Sequence, residues 1–322
     1  MIPMRKVYCI GELLIDFVAE NQGSDLSKAN EFTKKAGGAP ANVACAIAKL
    51  GGKSSFIGAV GKDPMGTFLL KVLQDERVDI SLAQRSNKFT TLAFVSIAQD
   101  GERDFVFSRG ADRELKYDKE IQKDFSGNLV HLGAATALLG GPLEETYNHY
   151  FFDALTKEAF ISFDPNFRSD LWKGNEEVFI KKCLSYVSKS HLCKFSQEEA
   201  LLLAGLSSRD PVEKACDILH EAGAKILTVT LGKEGTLVSK GEKKKVVRSI
   251  KVDPVDTTGA GDAFIGCLLY QISRLPSTDI IFEDRPEFLK MVKKANKAGA
   301  LTTTQFGAIN SLPGPELLDL NC

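Results

Sequence analysis

The residues Asp256-Thr257-Thr258-Gly259-Ala260-Gly261-Asp262 form the most informative stretch of the sequence. Residues 246–255 before it are strand-like, and apolar residues recur at helical spacing after it, so the stretch is predicted to connect a strand to a helix. At the start of a helix the backbone N–H groups and the helix dipole point toward an incoming anion. Because two glycines and an alanine leave the approach open, the stretch predicts a phosphate-binding turn.

Asp262, one residue beyond this turn, is the candidate general base. An unperturbed aspartate, with a pKa of about 3.9, is ionised at neutral pH and could accept the proton of an attacking hydroxyl group, as the catalytic aspartate of a kinase does. The amides of Gly259, Ala260 and Gly261 would stabilise charge on the transferred phosphoryl group. The alternative is a tight turn in which Asp262 only favours the helix dipole. These residues alone do not separate the two interpretations.

Short apolar runs alternate with helical patterns along most of the chain. This rhythm predicts a single α/β domain over residues 1–322, a three-layer sandwich whose mostly parallel sheet is covered by helices on both faces. A helix is predicted at 40–50, and a second one behind the cap Asp63-Pro64. Strands are predicted at 7–18, 55–60, 129–132, 160–163, 191–195 and 226–230.

One segment departs from this rhythm. Residues 90–98 and 103–108 alternate with period two around Gln99-Asp100-Gly101-Glu102. An Asp-Gly pair between two alternating runs predicts a β-hairpin, and a hairpin inserted in an α/β chain usually lies outside the main sheet. We therefore predict a small β lid formed by segments 12–36 and 88–110. The run Lys243-Lys244-Lys245 is interpreted as a solvated turn.

Composition restricts the classes of partner. The 322 residues carry a formal net charge of −1, which gives no electrostatic footprint for nucleic acid or an anionic membrane. No apolar run approaches the roughly 18 residues of a membrane span. The seven cysteines are scattered, without a Cys-x-x-Cys pair, which argues against a disulfide framework and a zinc site. The expected location is the cytoplasm.

A second motif lies far upstream, Gly37-Gly38-Ala39-Pro40-Ala41-Asn42. Two glycines at a helix entry allow a ligand to approach the backbone closely. The amide of Asn42 offers both a donor and an acceptor to a hydroxyl group. Taken alone, the motif favours an ordinary glycine-rich helix entry with Asn42 in the first turn.

Together the two motifs resemble those of the ribokinase-like carbohydrate kinase family, also called the PfkB family. The resemblance covers nearly the whole chain, with the motifs in the expected order and separation. Three stretches resemble the fructokinase branch of the family: Gly11-Glu12-Leu13-Leu14-Ile15-Asp16-Phe17, Gly38-Ala39-Pro40-Ala41-Asn42 and Asp164-Pro165-Asn166-Phe167-Arg168. The resemblance implies a ribokinase-like fold and transfer of the γ-phosphate of ATP to a fructose hydroxyl, with O6 as the expected acceptor.

The same resemblance assigns Asp262 as the base and the amides before it as the anion hole. It also implies a sugar site formed by Asp16, Gly37, Gly38, Asn42, Arg109 and Arg168. Asp16 lies inside an apolar strand, where an unpaired carboxylate would be costly, and this favours a ligand role. For Arg109 and Arg168 an ordinary surface salt bridge is the alternative.

On the nucleotide side, Thr230, Gly232 and Gly235 follow a strand and resemble the ATP-binding turn of the family. Lys194 and Asn296 are further candidates, Asn296 near the adenine. The stretch Ser196-Gln197-Glu198-Glu199 resembles a family motif that usually begins with Asn and whose Glu is tied to Mg²⁺, often through water. Ser-x-x-Glu is also a capping box, so Glu199 has a structural alternative.

Family members often bind a monovalent cation, usually K⁺, beside the anion hole. The matching positions here are Asp256, Thr258, Thr302, Gly307 and Ser311. Lid strands in the family often pair between two subunits, so the resemblance also implies a homodimer. The alternatives are a kinase of 2-keto-3-deoxygluconate, ribose or a nucleoside, and a non-catalytic scaffold. A hydride-transfer enzyme is less well supported, because Phe264 stands where a dinucleotide fingerprint requires a small residue.

Overall fold

The computed structural model describes residues 4–20, 23, 26–97, 103–283 and 286–320. Its strands form an eight-stranded sheet, a four-stranded sheet and a two-stranded pair. Within the described residues the strands are β1 Lys6–Ile10, β2 Leu14–Ala19, β3 Phe32–Gly37, β4 Lys53–Ile57, β5 Ala59–Gly61, β6 Gln84–Ser86, β7 Leu92–Ile97, β8 Arg103–Ser108, β9 Leu129–Gly133, β10 Phe160–Asp164, β11 Leu192–Ser196, β12 Leu227–Thr230, β13 Thr236–Lys240 and β14 Lys243–Val247.

The α-helices of the described residues are α1 Ala39–Lys49, α2 Pro64–Asp75, α3 Gly141–Thr156, α4 Ser169–Trp172, α5 Glu176–Val187, α6 Gln197–Leu203, α7 Val212–Glu221, α8 Ala260–Ser273 and α9 Pro286–Thr302. Short 3₁₀ segments occur at Leu26–Lys28, Ala111–Glu114, Ile121–Asp124, Gly232–Glu234, Thr278–Phe282, Ile309–Ser311 and Pro315–Leu318. Pro40 lies in the first turn of α1, and the Asp63 side chain caps α2 by accepting a 2.9 Å hydrogen bond from the amide of Gly66. These two helices confirm the prediction.

The large sheet has the strand order β14-β13-β12-β11-β10-β9-β1-β4. The pairs from β4 to β12 are parallel, and β13 and β14 add an antiparallel edge. Two apolar clusters cover its faces, one with α1, α2, α8 and α9 and the other with α3, α5, α6 and α7. The three-layer α/β architecture is therefore confirmed. The carboxyl ends of the parallel strands lie along one edge, where ligands bind in such sheets.

The predicted single strand 7–18 is wrong, because the chain leaves the large sheet at Ile10 and enters the small one at Leu14. Gly11, at φ +148°, makes the change of direction. A Cβ atom there would lie 2.5 Å from Cγ of Pro40, so only glycine fits. The predicted strand 55–60 is likewise two strands, β4 and β5.

The predicted strand 246–255 is also wrong, because β14 ends at Val247 and residues 248–255 form no strand. The amides of Val255 and Asp256 instead donate to the carbonyl of Thr303, so the loop is attached to the segment after α9. The three lysines 243–245 belong to edge strand β14, paired with β13, and not to a turn. Three consecutive lysines suit an exposed edge strand, where charge discourages pairing with another chain.

The small sheet has the order β3-β2-β7-β8, with β2 and β7 parallel and the other pairs antiparallel. The predicted pairing of 90–98 with 103–108 is confirmed, since β7 and β8 pair from Leu92 with Ser108 to Ile97 with Arg103. The turn residues 99–102 lie outside the described residues. The sheet lies outside the large sheet as predicted, and its function as a lid stays a prediction.

The described cysteines, at positions 9, 45, 183, 193, 216 and 267, are buried and unpaired. This agrees with their interpretation as small core residues without a disulfide framework. Among the helices of the described residues, none is long and apolar enough to cross a membrane.

Candidate active site

A cleft of about 660 Å³ lies between the small sheet and the carboxyl edge of the large sheet. Both sequence motifs line it, through Gly38 and Asn42 on one side and Gly259, Gly261 and Asp262 on the other. Motifs separated by more than 200 residues are thus brought together as the sequence predicted. We call this cavity the first cleft.

The turn before α8 has the geometry of an anion site. Gly259 is the N-cap residue at φ +76°, and a Cβ atom there would lie 2.5 Å from Cβ of Ala308. Helix α8 begins at Ala260, so the N–H groups of its first turn have no carbonyl partner four residues earlier within the helix. The amide of Ala260 makes a long hydrogen bond, 3.3 Å, to the carbonyl of Thr257. The amide of Ala263 donates a shorter hydrogen bond, 2.8 Å, to the carbonyl of Gly259, so the amides that face an anion lie before it.

The Asp262 carboxylate is held by the upstream motif. Its Oδ2 atom accepts a 2.8 Å hydrogen bond from Nδ2 of Asn42. One helical turn further along, α1 and α8 pack so closely that a Cβ atom on Gly266 would lie 2.6 Å from Cβ of Ala46. This close packing of small residues sets the distance between Asn42 and Asp262.

Burial raises the pKa of Asp262 to about 6, although the Asn42 hydrogen bond and the charge of Lys194 oppose the rise. The expectation of an unperturbed carboxylate is therefore corrected: Asp262 is more basic than an ordinary aspartate. A carboxylate with a pKa just below neutrality is still mainly ionised at pH 7 and is better matched to accepting a proton.

Lys194 lies next to the anion turn, on strand β11. Its Nζ atom is 3.0 Å from Oδ2 of Asp164, and a Cβ atom on Gly261 would lie 2.9 Å from the same Nζ. Burial alone would lower the pKa of Lys194, but the carboxylates of Asp164, Glu199 and Asp262 raise it above its usual value. Lys194 is therefore a permanent cation at the floor of the first cleft.

Of the predicted sugar residues, Asp16 and Gly38 line the first cleft, and Gly37 lies directly beside Asp16. Asp16 faces the cleft from β2, and its Oδ2 would be only 2.0 Å from a Cβ atom on Gly37. Gly38 has φ +109°, and a Cβ there would lie 2.4 Å from the carbonyl oxygen of Glu12. Both glycines are therefore required for the close approach of β2 to the start of α1.

Among the polar residues of the first cleft that sequence reasoning missed are Glu12 and Asn166. Within the described residues, Glu12 Oε2, Asn42 Oδ1 and Asn166 Nδ2 are buried atoms without a hydrogen-bond partner. All three residues line the cleft. Unpaired buried polar atoms are rare in folded proteins and fit a site that binds a polar ligand. Glu12 and Asn166 lie inside two of the stretches that resemble the fructokinase branch, and this resemblance could have identified them as candidate site residues.

The two predicted arginines are placed differently. Arg168 lines the first cleft, with its guanidinium 5.7 Å from the centre of the Phe105 ring of β8. Arg109 is not among the residues described as lining the cleft. Its side chain is only 7% exposed and forms two hydrogen bonds, of 2.9 and 2.7 Å, to Oδ2 of Asp112. The Arg109 side chain is therefore held by an ion pair with Asp112, and its contact with the sugar stays a prediction.

A second cavity of about 700 Å³ lies on the other side of the motif. Its lining includes the predicted nucleotide residues Thr230, Gly232, Gly235 and Asn296. Thr257 and Gly261 line both cavities, so the anion turn is the boundary between them. Lys194, predicted on the nucleotide side, lines the first cleft and reaches this boundary at Gly261.

Asn296 is held by protein contacts at the wall of the second cavity. Its Oδ1 accepts a 2.6 Å hydrogen bond from Thr236, and its Nδ2 donates a 2.7 Å hydrogen bond to the carbonyl of Val247. The side chain therefore shapes the cavity by joining α9 to β13 and β14.

The capping box predicted at Ser196 and Glu199 is present. The Ser196 hydroxyl accepts from the amide of Glu199, and Glu199 Oε2 accepts a 2.7 Å hydrogen bond from the amide of Ser196. The other oxygen, Oε1, accepts a 2.7 Å hydrogen bond from the amide of Phe167. Glu199 lines the first cleft with both oxygens already engaged, which suits an outer contact to a metal better than direct ligation.

The residues predicted to bind a monovalent cation lie in the turn before α8 and in the segment from the end of α9 to Ser311. Asp256 accepts hydrogen bonds from Thr258 and from the amide of Gly307, at 2.9 and 2.8 Å to the two backbone N–H groups. The Ser311 hydroxyl donates a hydrogen bond to the carbonyl of Gly307. Thr302 directly precedes Thr303, whose carbonyl accepts hydrogen bonds from the amides of Val255 and Asp256. The structure thus brings the five positions into one region beside the anion turn.

Three comparisons relate the chain to known proteins. The model of pfkB family carbohydrate kinases matches residues 4–315. Fructokinase-1 of Zea mays is 39% identical over 313 residues, which are 95% of this chain and 94% of the maize protein. A fructokinase structure from Vibrio cholerae O395 with fructose, ADP and a calcium ion has a TM-score of 0.83 at 32% identity, covering 98% of each chain. A double mutant of that fructokinase, with fructose, ADP and a potassium ion, has a TM-score of 0.81 at 31% identity over 98% of this chain and 97% of its own.

Proposed function

The chain belongs to the pfkB family of carbohydrate kinases, and we propose that it transfers the γ-phosphate of ATP to fructose, giving ADP and fructose 6-phosphate. The observation that carries this proposal is the place of Asp262. Its partly buried carboxylate lies in the first turn of α8, beside Gly261, which lines both cavities. The fructose and ADP bound by the Vibrio cholerae relative support the choice of substrates.

In the proposed reaction the sugar occupies the first cleft, and the nucleotide occupies the second cavity with its phosphates at the shared boundary. Asp262 takes the proton of the sugar hydroxyl while its oxygen attacks the γ-phosphorus. The new O–P bond forms as the bond to the β–γ bridging oxygen breaks, and that electron pair leaves with ADP. The first-turn amides of α8 stabilise the charge on the transferred group.

We propose magnesium as the ion that accompanies ATP. Among the described residues there is no group of three or more His, Cys, Asp or Glu side chains that could hold a metal. This fits an ion held mainly by phosphate oxygens and water, with Glu199 as an outer contact. The bound ion would neutralise part of the phosphate charge. Potassium is proposed beside Asp256, with support from the potassium-bound relative.

We further propose that the small sheet acts as the lid and that a homodimer forms through it. Strands β3 and β8 are the edges of this sheet within the described residues, and an unpaired edge can bind the edge of a second copy. A cytoplasmic location is proposed because the described cysteines are buried and unpaired. Light scattering at micromolar concentration tests the dimer, since a mass of one chain would contradict it.

The substrate is tested by measuring ADP release with fructose, ribose, 2-keto-3-deoxygluconate and a purine nucleoside. We expect the highest kcat/KM for fructose, and a phosphorus NMR spectrum of the product should show the phosphate on O6. A higher kcat/KM for another acceptor would contradict the assignment of fructose. ADP release that no acceptor stimulates would contradict the kinase function itself.

A further inference from the structure

Strand β3 carries two neighbouring lysines whose side chains lie on opposite faces of the small sheet, as alternate positions of a strand do. The Nζ atom of Lys34 lies 4.0 Å from the centre of the Phe68 ring of α2, away from the first cleft. Lys35 is opposite Asp16 of β2 in the strand register, and both residues line the first cleft. The small sheet thus presents one carboxylate and one ammonium side by side to the ligand.

The ammonium of Lys35 reaches the loop before the anion turn. Its Nζ lies 3.9 Å from Oδ2 of Asp256 and 5.5 Å from the centre of the Phe306 ring. A separation of 3.9 Å is longer than a hydrogen bond. Asp256 accepts shorter hydrogen bonds, of 2.8 and 2.9 Å, from the amides of Gly307 and Thr258. The contact with Asp256 therefore leaves the N–H donors of Lys35 available to a ligand.

The charged residues that line the first cleft indicate what the Lys35 ammonium could bind. Seven acidic residues line the cleft: Glu12, Asp16, Glu20, Glu198, Glu199, Asp256 and Asp262. Only three basic residues are described in its lining, namely Lys35, Arg168 and Lys194. Lys194 is paired with Asp164 at 3.0 Å, and Arg168 donates to the carbonyl of Phe167. A phosphoryl group entering this acidic cleft needs a further cation, and Lys35 lies 3.9 Å from Asp256, at the start of the anion turn.

We propose that Lys35 binds the phosphoryl group during transfer, together with the amides of α8. This inference rests on the proposed kinase function and adds a catalytic residue to it. An ammonium on a flexible stem can follow the phosphoryl oxygens as they move from ATP to the sugar. Because Lys35 and the predicted sugar ligand Asp16 face each other on adjacent strands, one sheet supplies contacts to the sugar and to the phosphate together.

The test compares Lys35→Met with Lys34→Met, a matched change at the next residue on the opposite face. With saturating fructose and ATP, we expect Lys35→Met to lower kcat about 10²-fold, the size of losing one donor to developing charge. The KM for fructose should change little, and Lys35→Arg should recover part of kcat. Lys34→Met should keep the wild-type kcat. Thermal unfolding of both variants establishes that they are folded.

A second measurement uses ADP with aluminium fluoride as a mimic of the phosphoryl group in transfer. In the presence of fructose, Lys35→Met should weaken binding of this mimic by the factor lost in kcat, while binding of ADP alone stays the same. If Lys35 only ties the small sheet to Asp256, the KM for fructose rises and kcat does not fall, which overturns the inference. A defect that disappears at saturating KCl also overturns it, since the lysine would then act through the monovalent-cation site.

These outcomes separate the inference from the function on which it rests. A wild-type protein that phosphorylates no sugar would overturn both. An active wild type in which Lys35→Met behaves like Lys34→Met would overturn only the role of Lys35.

Discussion

The two cavities that meet at Gly261 differ in the charge of their lining residues and in how their buried polar atoms are hydrogen-bonded. The first cleft is lined by seven acidic and three basic residues and contains buried polar atoms without partners. The second cavity is lined by two acidic and three basic residues, together with several glycines and alanines, and the amide of its buried residue Asn296 is hydrogen-bonded through both its oxygen and its nitrogen. An anionic nucleotide suits the second cavity and a neutral, hydroxyl-rich sugar suits the first. The comparison indicates that the first cleft recognises its ligand mainly through charged and polar side chains. The second cavity recognises its ligand mainly through the shape of its lining.

The strongest test of this contrast removes the central charge of the first cleft. Asp262→Asn should lower kcat by about 10²- to 10⁴-fold, the contribution of a general base, while fructose and ATP still bind in calorimetric titrations. Burial raises the pKa of Asp262, so its charged form costs stability once the pH rises through about 6. The melting temperature of the variant at pH 7 should therefore be no lower than that of the wild type. A near-normal kcat would refute the assignment of the base.

A second test keeps the Asp262 carboxylate but changes its pKa. The hydrogen bond from Asn42 lowers the pKa of Asp262, whose value is about 6. Since only the ionised carboxylate accepts a proton, kcat/KM of the wild type should fall as the pH drops below about 6 and level off above it. Asn42→Ala should move this acidic limb, the fall of kcat/KM at low pH, to higher pH. It should also lower kcat/KM about tenfold at pH 7. An unmoved limb would show that another group controls the profile.

The second cavity should respond to a change of shape. Ala300 lines it from α9, and leucine keeps the helix while filling part of the space. We expect Ala300→Leu to raise the KM for ATP about tenfold, as expected for a loss of about 1.4 kcal/mol of binding, with the KM for fructose unchanged. Lys293→Leu, on the exposed side of the same helix, is the control. An equal rise in the KM for ATP and the KM for fructose would contradict the assignment of the two substrates to separate cavities.

The smallest effect on turnover is expected at Arg109, which lies outside both cavities. Arg109→Met breaks the buried pair with Asp112 and should destabilise the protein by about 3–5 kcal/mol, measured by urea unfolding. The folded fraction should retain its kcat and its KM for fructose. A raised KM for fructose with unchanged stability would instead return Arg109 to the sugar site.

The sequence predicted those features that depend on local pattern. The parallel strands, the hairpin of β7 and β8 and the capping box at Ser196 each follow from periodicity or from residue spacing. The two motifs were also placed at one site, through their joint resemblance to those of the PfkB family. Local pattern was misleading at 246–255, where an extended, β-rich composition belongs to a loop fixed by Thr303.

Features that depend on contacts between distant segments could not be predicted. The hydrogen bond between Asn42 and Asp262 requires the close packing of α1 on α8, and the raised pKa of Asp262 requires its burial. Arg109 could not be separated from Arg168 by sequence, since its partner Asp112 is recognised only when both are seen to be buried. The unpaired oxygen of Glu12 is likewise visible only in three dimensions.

The central claim is that Asp262 is the base at the boundary of the two cavities. The most direct test is a crystal structure of the protein with fructose and a non-hydrolysable ATP analogue. We predict one sugar hydroxyl oxygen within about 3 Å of the Asp262 carboxylate, facing the γ-phosphate at the start of α8. A sugar bound with every hydroxyl beyond hydrogen-bond reach of Asp262, or with the γ-phosphate away from α8, would contradict the account.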